Sequence, residues 1–233
     1  MKRIGLIGGM TPESTIEYYR ALIRLGRGVA ANPLDNPVLL IYSVNLSEIF
    51  HLQEAGRDDE VVEILGGTFD RLRGAGAEVG SLTANTPHVY FDRLAARAGM
   101  PLVSILDATF ERTTALGCRK VLLLGTRTTM ASPMYPRRLA AGDIQVLVPD
   151  DTERAFVNRT IYEDLAVGLT RAETRRAFVE ICERHVREDG ADGVILGCTE
   201  IPLLLKVGDV SVPMIDTTQV HAEAIFAAAR AEA

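Results

Sequence analysis

Lysine is scarce in this chain, with Lys2, Lys120 and Lys206 the three found in 233 residues. Pyridoxal phosphate needs a buried lysine for its Schiff base. Lys2 and Lys120 each precede an apolar run that reads as a strand, at the end away from where open α/β sheets bind ligands. Lys206 alone is a weak candidate, so a pyridoxal enzyme is not expected. Cysteine is equally scarce: Cys118, Cys182 and Cys198 are odd in number and lack CxxC spacing, which argues against a disulfide framework and a zinc knuckle. The histidines, His51, His88, His185 and His221, stand far apart and match no HExxH-type pattern, so no metal is expected. No apolar run reaches the ~18 residues needed to cross a bilayer. Met1-Lys2-Arg3 runs straight into a strand without the apolar core of a signal peptide, which makes the cytoplasm the expected location and a membrane an unexpected partner. A basic footprint is missing too: the formal charge is −6 and the sequence pI about 5.3, with acids and arginines interspersed, so nucleic acid is not an expected partner.

What is present is apolar and periodic. The chain is 47% hydrophobic with a mean hydropathy of +0.12, enough to bury a full core. Runs rich in Ile, Val and Leu (RIGLIGG, VLLIYSV, VGSLTAN, PLVSI, RKVLLLGT, IQVLVP, DGVILGCT, VPMIDT) alternate with amphipathic segments. Helices are expected over Pro12 to Val29, Asp58 to Ala75, Tyr90 to Ala98 and Ala108 to Leu116, around Glu153 and Glu173, and at the C-terminal end. Thr170 and Glu173 have the spacing of a capping box. Strands that alternate with helices imply βαβ crossovers and parallel sheets buried on both faces, hence an α/β protein.

Three features recur in order. Ile4-Gly5-Leu6-Ile7-Gly8 matches Val121-Leu122-Leu123-Leu124-Gly125, an offset of 117 between residues 4 and 121. Ala75-Gly76-Ala77-Glu78, followed by VGSLTANTPH, matches Asp189-Gly190-Ala191-Asp192, followed by GVILGCTEIP, with Gly76 and Gly190 offset by 114. Pro101 and Pro213 open a third match at 112. The repeat predicts two pseudosymmetric three-layer domains, 1–100 plus 213–233 and 101–212, with the active site in the cleft between them. It also aligns Ala84 with Cys198, Asn85 with Thr199, and Thr86 with Glu200.

The strand ends carry the candidate chemistry. The first turn, IGLIGGMTPES, departs from GxGxxG, and the second strand ends in Tyr42-Ser43 where a ribose-holding acid would stand, which excludes NAD and FAD. Backbone N–H groups of Gly9 to Thr11 are placed to hold a carboxylate or phosphate oxygen at a helix start. Cys182 sits at helical spacing from Phe178 and His185 and reads as core; Cys118 leads into a strand and packs there. Cys198 differs. It ends an apolar strand beside Thr199 and Glu200, where a helix N-terminus would lower its thiol pKa from ~8.5 toward neutrality, whereas a buried Glu200 carboxylate would raise it.

Together these residues resemble the aspartate/glutamate racemase family, whose members racemise amino acids without a cofactor. The resemblance covers essentially the whole chain, through GGMTPESTIEYY (Gly8 to Tyr19), ANTPH (Ala84 to His88), GTRTTM (Gly125 to Met130) and GCTE (Gly197 to Glu200). SVNLSEIFHLQ (Ser43 to Gln53) and VPDDTERAFVNRTIYEDL (Val148 to Leu165) look most like the bacterial branch with relaxed substrate range. The resemblance implies a small amino-acid substrate, no cofactor and a homodimer. It also implies two facing cysteines, one removing the α-proton and the other protonating the opposite face, since inverting a stereocentre needs an acid and a base on opposite sides. Cys198 carries over as the second of the pair. Asn85, Thr86 and Thr199 would hold the substrate carboxylate, with Met10 and Gln53 lining the pocket and Glu200 beside it. Basic residues that would grip a side-chain carboxylate have no counterpart in Ser43 to Gln53 or near Leu165.

The first cysteine of the pair falls on Ala84, which carries no exchangeable proton. Thr83 adjoins it but should point to the other side of the strand. The sequence therefore leaves open a racemase in which water or another group replaces one thiol, a one-cysteine decarboxylase or isomerase of the same superfamily, a ligand-binding pseudoenzyme, and an alanine introduced to trap substrate. His88, in the TPH turn, is open between packing and orienting the site. Arg127 reads as a solvated loop residue.

Overall fold

The computed structural model describes residues 1–32 and 34–231. The chain divides into two compact units, Met1–Ser104 with the segment from His221 onward, and Ile105–Val220.

In the first unit β1 (Ile4–Gly8), α1 (Pro12–Val29), β2 (Leu39–Ser43), α2 (Leu46–Glu54), α3 (Asp58–Gly74) and β3 (Val79–Leu82) are followed by a 3-10 turn, Thr86–Tyr90, and α4 (Phe91–Ala95). The strands form a parallel sheet in the order β2-β1-β3. Alternation along the strands sorts their side chains between two helical layers. Ile4, Leu6 and Val79 pack with Tyr18 and Leu22 of α1 and with Ala222, Ile225 and Phe226 near the C-terminal end. Ile7 and Leu82 pack instead with Val61, Leu65, Phe69 and Leu72 of α3.

The second unit contains α5 (Ile105–Ala115), β4 (Lys120–Gly125), α6 (Arg127–Ala131), α7 (Met134–Leu139), β5 (Gln145–Leu147), α8 (Asp151–Glu163), α9 (Ala172–Asp189), β6 (Gly193–Gly197), α10 (Ile201–Leu204), β7 (Met214–Asp216) and the start of α11 (Thr217–Arg230). Its parallel sheet runs β5-β4-β6-β7. Leu122, Leu124, Val194 and Leu196 pack under Val157 and Ile161 of α8 and Phe178, Ile181 and Cys182 of α9. On the other side, α5 packs with α7, and Tyr135 is fully buried there with its hydroxyl bonded to Thr109 and Thr217.

The internal repeat is visible in hydrogen bonds. Glu78 N–H donates to the Arg3 carbonyl and Asp192 N–H to that of Lys120, each at 2.8 Å. Gly80 N–H donates to the Pro101 carbonyl and Val194 N–H to that of Pro213, each at 2.9 Å. The acid of each Gly-Ala-acid segment is a latch. Glu78 accepts from Arg3 N–H at 2.9 Å, and Asp192 from Arg119 N–H at 2.7 Å and Lys120 N–H at 2.9 Å, pinning the start of each central strand. The Glu78 carboxyl is held below its ordinary range mainly by that backbone donor.

Some expectations are corrected. PLVSI forms no strand: it pairs at a single bridge, Gly80 with Leu102, before α5 begins at Ile105. That bridge keeps Pro101 to Ser104 in the first unit, while β7 pairs with β6 and keeps residues 213–220 in the second, so both limits of the second unit lie C-terminal to the expected 101 and 212. Thr170 caps nothing in the expected way, because α9 starts one residue too late: its N-cap is Arg171, without a side-chain capping bond.

Candidate active site

At the end of β6 the chain leaves the sheet as Cys198-Thr199-Glu200 and turns into the four-residue α10. All three side chains are buried. The Cys198 thiol donates to Glu200 Oε2 at 2.8 Å, and the Thr199 hydroxyl donates to the same oxygen at 2.7 Å. Burial, then the charge of Glu200 and its hydrogen bond, push the thiol well above its ordinary range. The expected lowering by a helix terminus does not occur; one short turn of helix is outweighed by burial and then by the Glu200 carboxylate. Met130 and Ile201 belong to the same apolar cluster as Cys198. Tyr162 of α8 also bears on the site. Half-exposed, it has its phenol pKa raised by burial and by the charges of Cys198 and Glu200. Sequence reasoning missed it, since nothing in α8 ties Tyr162 to residues a sheet crossing away.

The other two cysteines behave as core. Cys182 is fully buried with its thiol pushed up to about 12 by burial. Cys118 is buried with its sulfur 3.5 Å from the Asp192 carbonyl.

In the first unit, β3 ends at Leu82 and continues through Thr83, Ala84 and Asn85 into the 3-10 turn that starts at Thr86. Thr83 and Ala84 part company there. The Thr83 hydroxyl donates to the Ile7 carbonyl at 3.2 Å and lies 3.3 Å from Thr15 Oγ1, on the α1 side. Ala84 lies in the α3-side cluster with Leu82, Met10 and Tyr90. Asn85 is buried and its carbonyl accepts His88 N–H at 3.0 Å; Thr86 is partly exposed. Gln53 of α2, whose helix is capped by Asn45, donates to the Tyr90 hydroxyl at 3.4 Å; that hydroxyl in turn donates to Asp58 at 2.6 Å. Met10, Ala84 and Gln53 are thus brought to one locality through Tyr90.

The turn after β1 is built tightly. Gly9 has φ of +88°, and a Cβ there would stand 2.3 Å from the Val44 carbonyl oxygen. Its N–H donates to Thr15 Oγ1 at 2.9 Å, so this group is already engaged and is not the anion donor expected from the sequence. Ser14 Oγ donates to the Thr83 carbonyl, tying α1 to the same strand end.

Beneath β3 lies a buried polar cluster that sequence reasoning did not find. His221 places Nδ1 2.7 Å from the Tyr18 hydroxyl and Nε2 2.9 Å from Ser81 Oγ and 3.1 Å from the Val103 carbonyl. Its partners come from segments up to 203 residues away in sequence. Burial and neighbouring His88 hold the His221 ring well below its ordinary pKa, hence neutral. His88 stacks on Phe91 with centroids 5.4 Å apart and donates from Nδ1 to the Ala84 carbonyl at 2.8 Å, so it packs and also holds the backbone of Ala84. Arg127 is exposed, its backbone N–H bonded to Asn158.

Among the described residues no cluster of three or more His, Cys, Asp or Glu is placed to hold a metal, and no helix is long and apolar enough to cross a membrane. What the Cys198 group offers chemically is a single buried proton carrier with a carboxylate partner.

Comparison with known proteins places this geometry. The family model for Asp/Glu/hydantoin racemase matches residues 7–225. The broad-specificity amino-acid racemase RacX of Bacillus subtilis is 26% identical over 92% of this chain and 92% of its own. The crystal structure of a Yersinia pestis protein, solved as a candidate Asp/Glu racemase, superposes with a TM-score of 0.91 at 40% identity, covering 98% of this chain and 99% of that one. An aspartate racemase homologue from Pyrococcus horikoshii gives a TM-score of 0.89 at 41% identity over 99% and 100% of the two chains.

Proposed function

The chain belongs to the Asp/Glu/hydantoin racemase family, and on that premise we propose that it is a cofactor-independent amino-acid racemase or epimerase. Its substrate is aspartate, glutamate or a similar small amino acid, and Cys198 moves the α-proton. The observation that carries this reading is the buried Cys198 thiol at the end of β6, hydrogen-bonded to Glu200 in an otherwise apolar surround. In such a site a proton transfer is shielded from bulk water and strongly affected by the few charges present.

The other roles follow the same reading. Asn85 and Thr86 hold the substrate carboxylate, with Met10 and Gln53 lining the pocket; Thr199 contributes where its hydroxyl is not engaged by Glu200. Similarity to a broad-specificity racemase supports a small amino acid held mainly by its backbone groups. The enzyme works in the cytoplasm as a homodimer. Exposed Ile41 and Tyr42 on the edge strand β2, with Ile16 and Tyr19 on α1, support a second copy covering that side of the first unit.

The test is isotopic. Each enantiomer of common small amino acids is incubated in deuterated water and loss of the α-proton is followed by NMR. Washout from at least one, abolished in Cys198→Ala, is expected; no washout from any sinks the reading.

One observation favours a second reading. Ala84 sits in an apolar cluster and the adjacent Thr83 hydroxyl is engaged with Ile7, so neither residue is a ready proton carrier. A single thiol suits protonation of a carbanion left by decarboxylation, and carbon dioxide release from substituted malonates, without amino-acid exchange, would select that chemistry.

A further inference from the structure

A threonine inside a helix can satisfy its hydroxyl on the carbonyl three or four residues back. Three buried threonines of this chain do so: Thr68 Oγ1 donates to the Ile64 carbonyl at 2.8 Å, Thr109 Oγ1 to that of Ile105 at 2.7 Å and Thr113 Oγ1 to that of Thr109 at 2.6 Å. Thr218, in the first turn of α11, lacks that geometry, because residues 214 and 215 still belong to β7. Its hydroxyl oxygen is the one buried side-chain polar atom among the described residues without a hydrogen-bond partner, in a residue 6% exposed. A valine of the same shape would fill this place without burying a bare hydroxyl.

The neighbours of Thr218 are engaged. Thr217 Oγ1 donates to the Leu196 carbonyl at 2.8 Å and ties the helix start to β6. Asp216 Oδ1 accepts the N–H groups of Thr218 at 2.9 Å and of Gln219 at 3.1 Å. Asp216, Gln219 and Val220 line a groove beside β7, and Thr218 is not part of its wall. Register gives the position of the hydroxyl. β6 and β7 pair Leu196 with Asp216, and Cys198 and Thr218 each follow two residues later, past adjacent strand ends on the sheet edge where open α/β folds bind ligands.

We propose that Thr218 is a substrate-binding residue of the second unit, its hydroxyl accepting a hydrogen bond from the α-ammonium group of the amino acid on which Cys198 acts. The fixed charges at these strand ends set the sign. Asp216 caps the helix with a carboxylate, and Glu200 lies buried past the end of β6, so a cation is favoured over a second anion. In the racemase reading Asn85, Thr86 and Thr199 take the substrate carboxylate, which leaves its ammonium group to be held. Keeping that group protonated assists the reaction, because its positive charge stabilises the carbanion formed beside it. The identity of the ligand rests on the racemase reading; the burial and bonding of Thr218 do not.

The test compares full-length wild type with Thr218→Val, Thr218→Ala and Thr218→Ser. Washout of the α-proton gives kcat and KM. Melting temperatures are read with both enantiomers of aspartate, glutamate and alanine and with the deaminated counterparts succinate, glutarate and propionate. Wild type should be stabilised more by at least one amino acid than by its counterpart, and Thr218→Val should erase that difference. Thr218→Val should also raise KM at least about tenfold with a smaller change in kcat, while Thr218→Ser stays within about threefold of wild type. Its urea midpoint without ligand should be no lower than that of wild type, since a bare buried hydroxyl is removed. A lowered midpoint with unchanged KM marks a structural role and overturns the proposal. So do equal shifts of wild type by amino acid and counterpart, which would leave the hydroxyl to an ordered water only. If Thr218→Val fails to fold by circular dichroism, Thr218→Ala decides: a raised KM with Thr218→Ser near wild type upholds the contact, and an unchanged KM overturns it. If wild type washes out no amino acid, the racemase reading falls and the melting data decide alone. An amino-acid-specific shift lost in Thr218→Val, or in Thr218→Ala, then upholds the contact, and no such shift overturns it.

Discussion

His88 donates its Nδ1 hydrogen to the carbonyl of Ala84 at 2.8 Å, so the backbone is fixed at the residue that the internal repeat aligns with Cys198. The adjacent Thr83 hydroxyl is already engaged, donating to the Ile7 carbonyl.

Ala84→Cys should therefore gain inversion. A thiol at this position adds a donor and acceptor on a backbone already held by His88, and the ratio of inversion to α-proton washout should rise at least tenfold, read by chiral chromatography alongside NMR. The added sulfur enters a nearly buried site and should lower stability by about 1 kcal/mol or less to about 3 kcal/mol, measured by urea unfolding. A variant that binds amino acid but neither inverts nor exchanges it would favour a binding protein.

On the racemase reading, the wild type with Cys198 as its one thiol carrier should wash out the α-proton of its preferred enantiomer faster than it inverts it. The same sulfur that removes the proton returns a deuteron to the same face. Equal rates of washout and inversion would point to a second acid on the opposite face.

Cys182→Ala should separate core from chemistry. Cys182 is fully buried on the core face of α9, and its loss should cost about 1–2 kcal/mol of stability through lost packing with washout unchanged. Cys198→Ala should do the reverse, leaving the melting temperature within a few degrees of wild type and abolishing washout.

His221 sets a pH dependence. Its ring is held neutral, with a folded-state pKa well below the ordinary value near 6.5. In the unfolded chain it protonates as pH falls through about 6.5, so the unfolded state binds the extra proton first. Stability from the neutral ring is fully present above that pH and should decline at about 1.4 kcal/mol per unit below it, until the folded-state pKa is reached. His221→Gln should flatten the wild-type slope between pH 6.5 and 5 in urea midpoints, while losing stability at pH 8. Equal slopes would rule out His221 as the source.

Gly9→Ala tests the first turn. The left-handed φ and the close Val44 carbonyl leave no room for a methyl group, and about 2 kcal/mol or more should be lost.

Much of this was legible in the sequence because parallel strands buried on both faces must be continuous apolar runs: Val121 to Leu124 and Val194 to Leu196 read as strands and are strands. The repeat could be read because each copy reuses the same hydrogen bonds, as Gly80–Pro101 and Val194–Pro213 show. PLVSI misled because its composition suits a strand, yet one bridge is all its neighbour allows before α5. The residue types at 84 and at 198–200 were evident, but the direction of the Glu200 carboxylate was not. A one-dimensional pattern does not say whether an acid two residues from a thiol turns toward solvent or toward sulfur. The His221 cluster was hidden for a simpler reason: Tyr18, Ser81 and Val103 come from three separate segments, and only folding brings them to one ring.

The Glu78 and Asp192 latches grip each sheet at the start of its central strand, while Ala84 and Cys198 lie past the far ends of β3 and β6. Strand alignment is thus decided well away from residues 84 and 198. A scaffold arranged this way tolerates replacement at these strand ends: a new side chain at residue 84 does not ask the sheet to re-register, where a fold that aligned its strands through the same residues would need several changes at once.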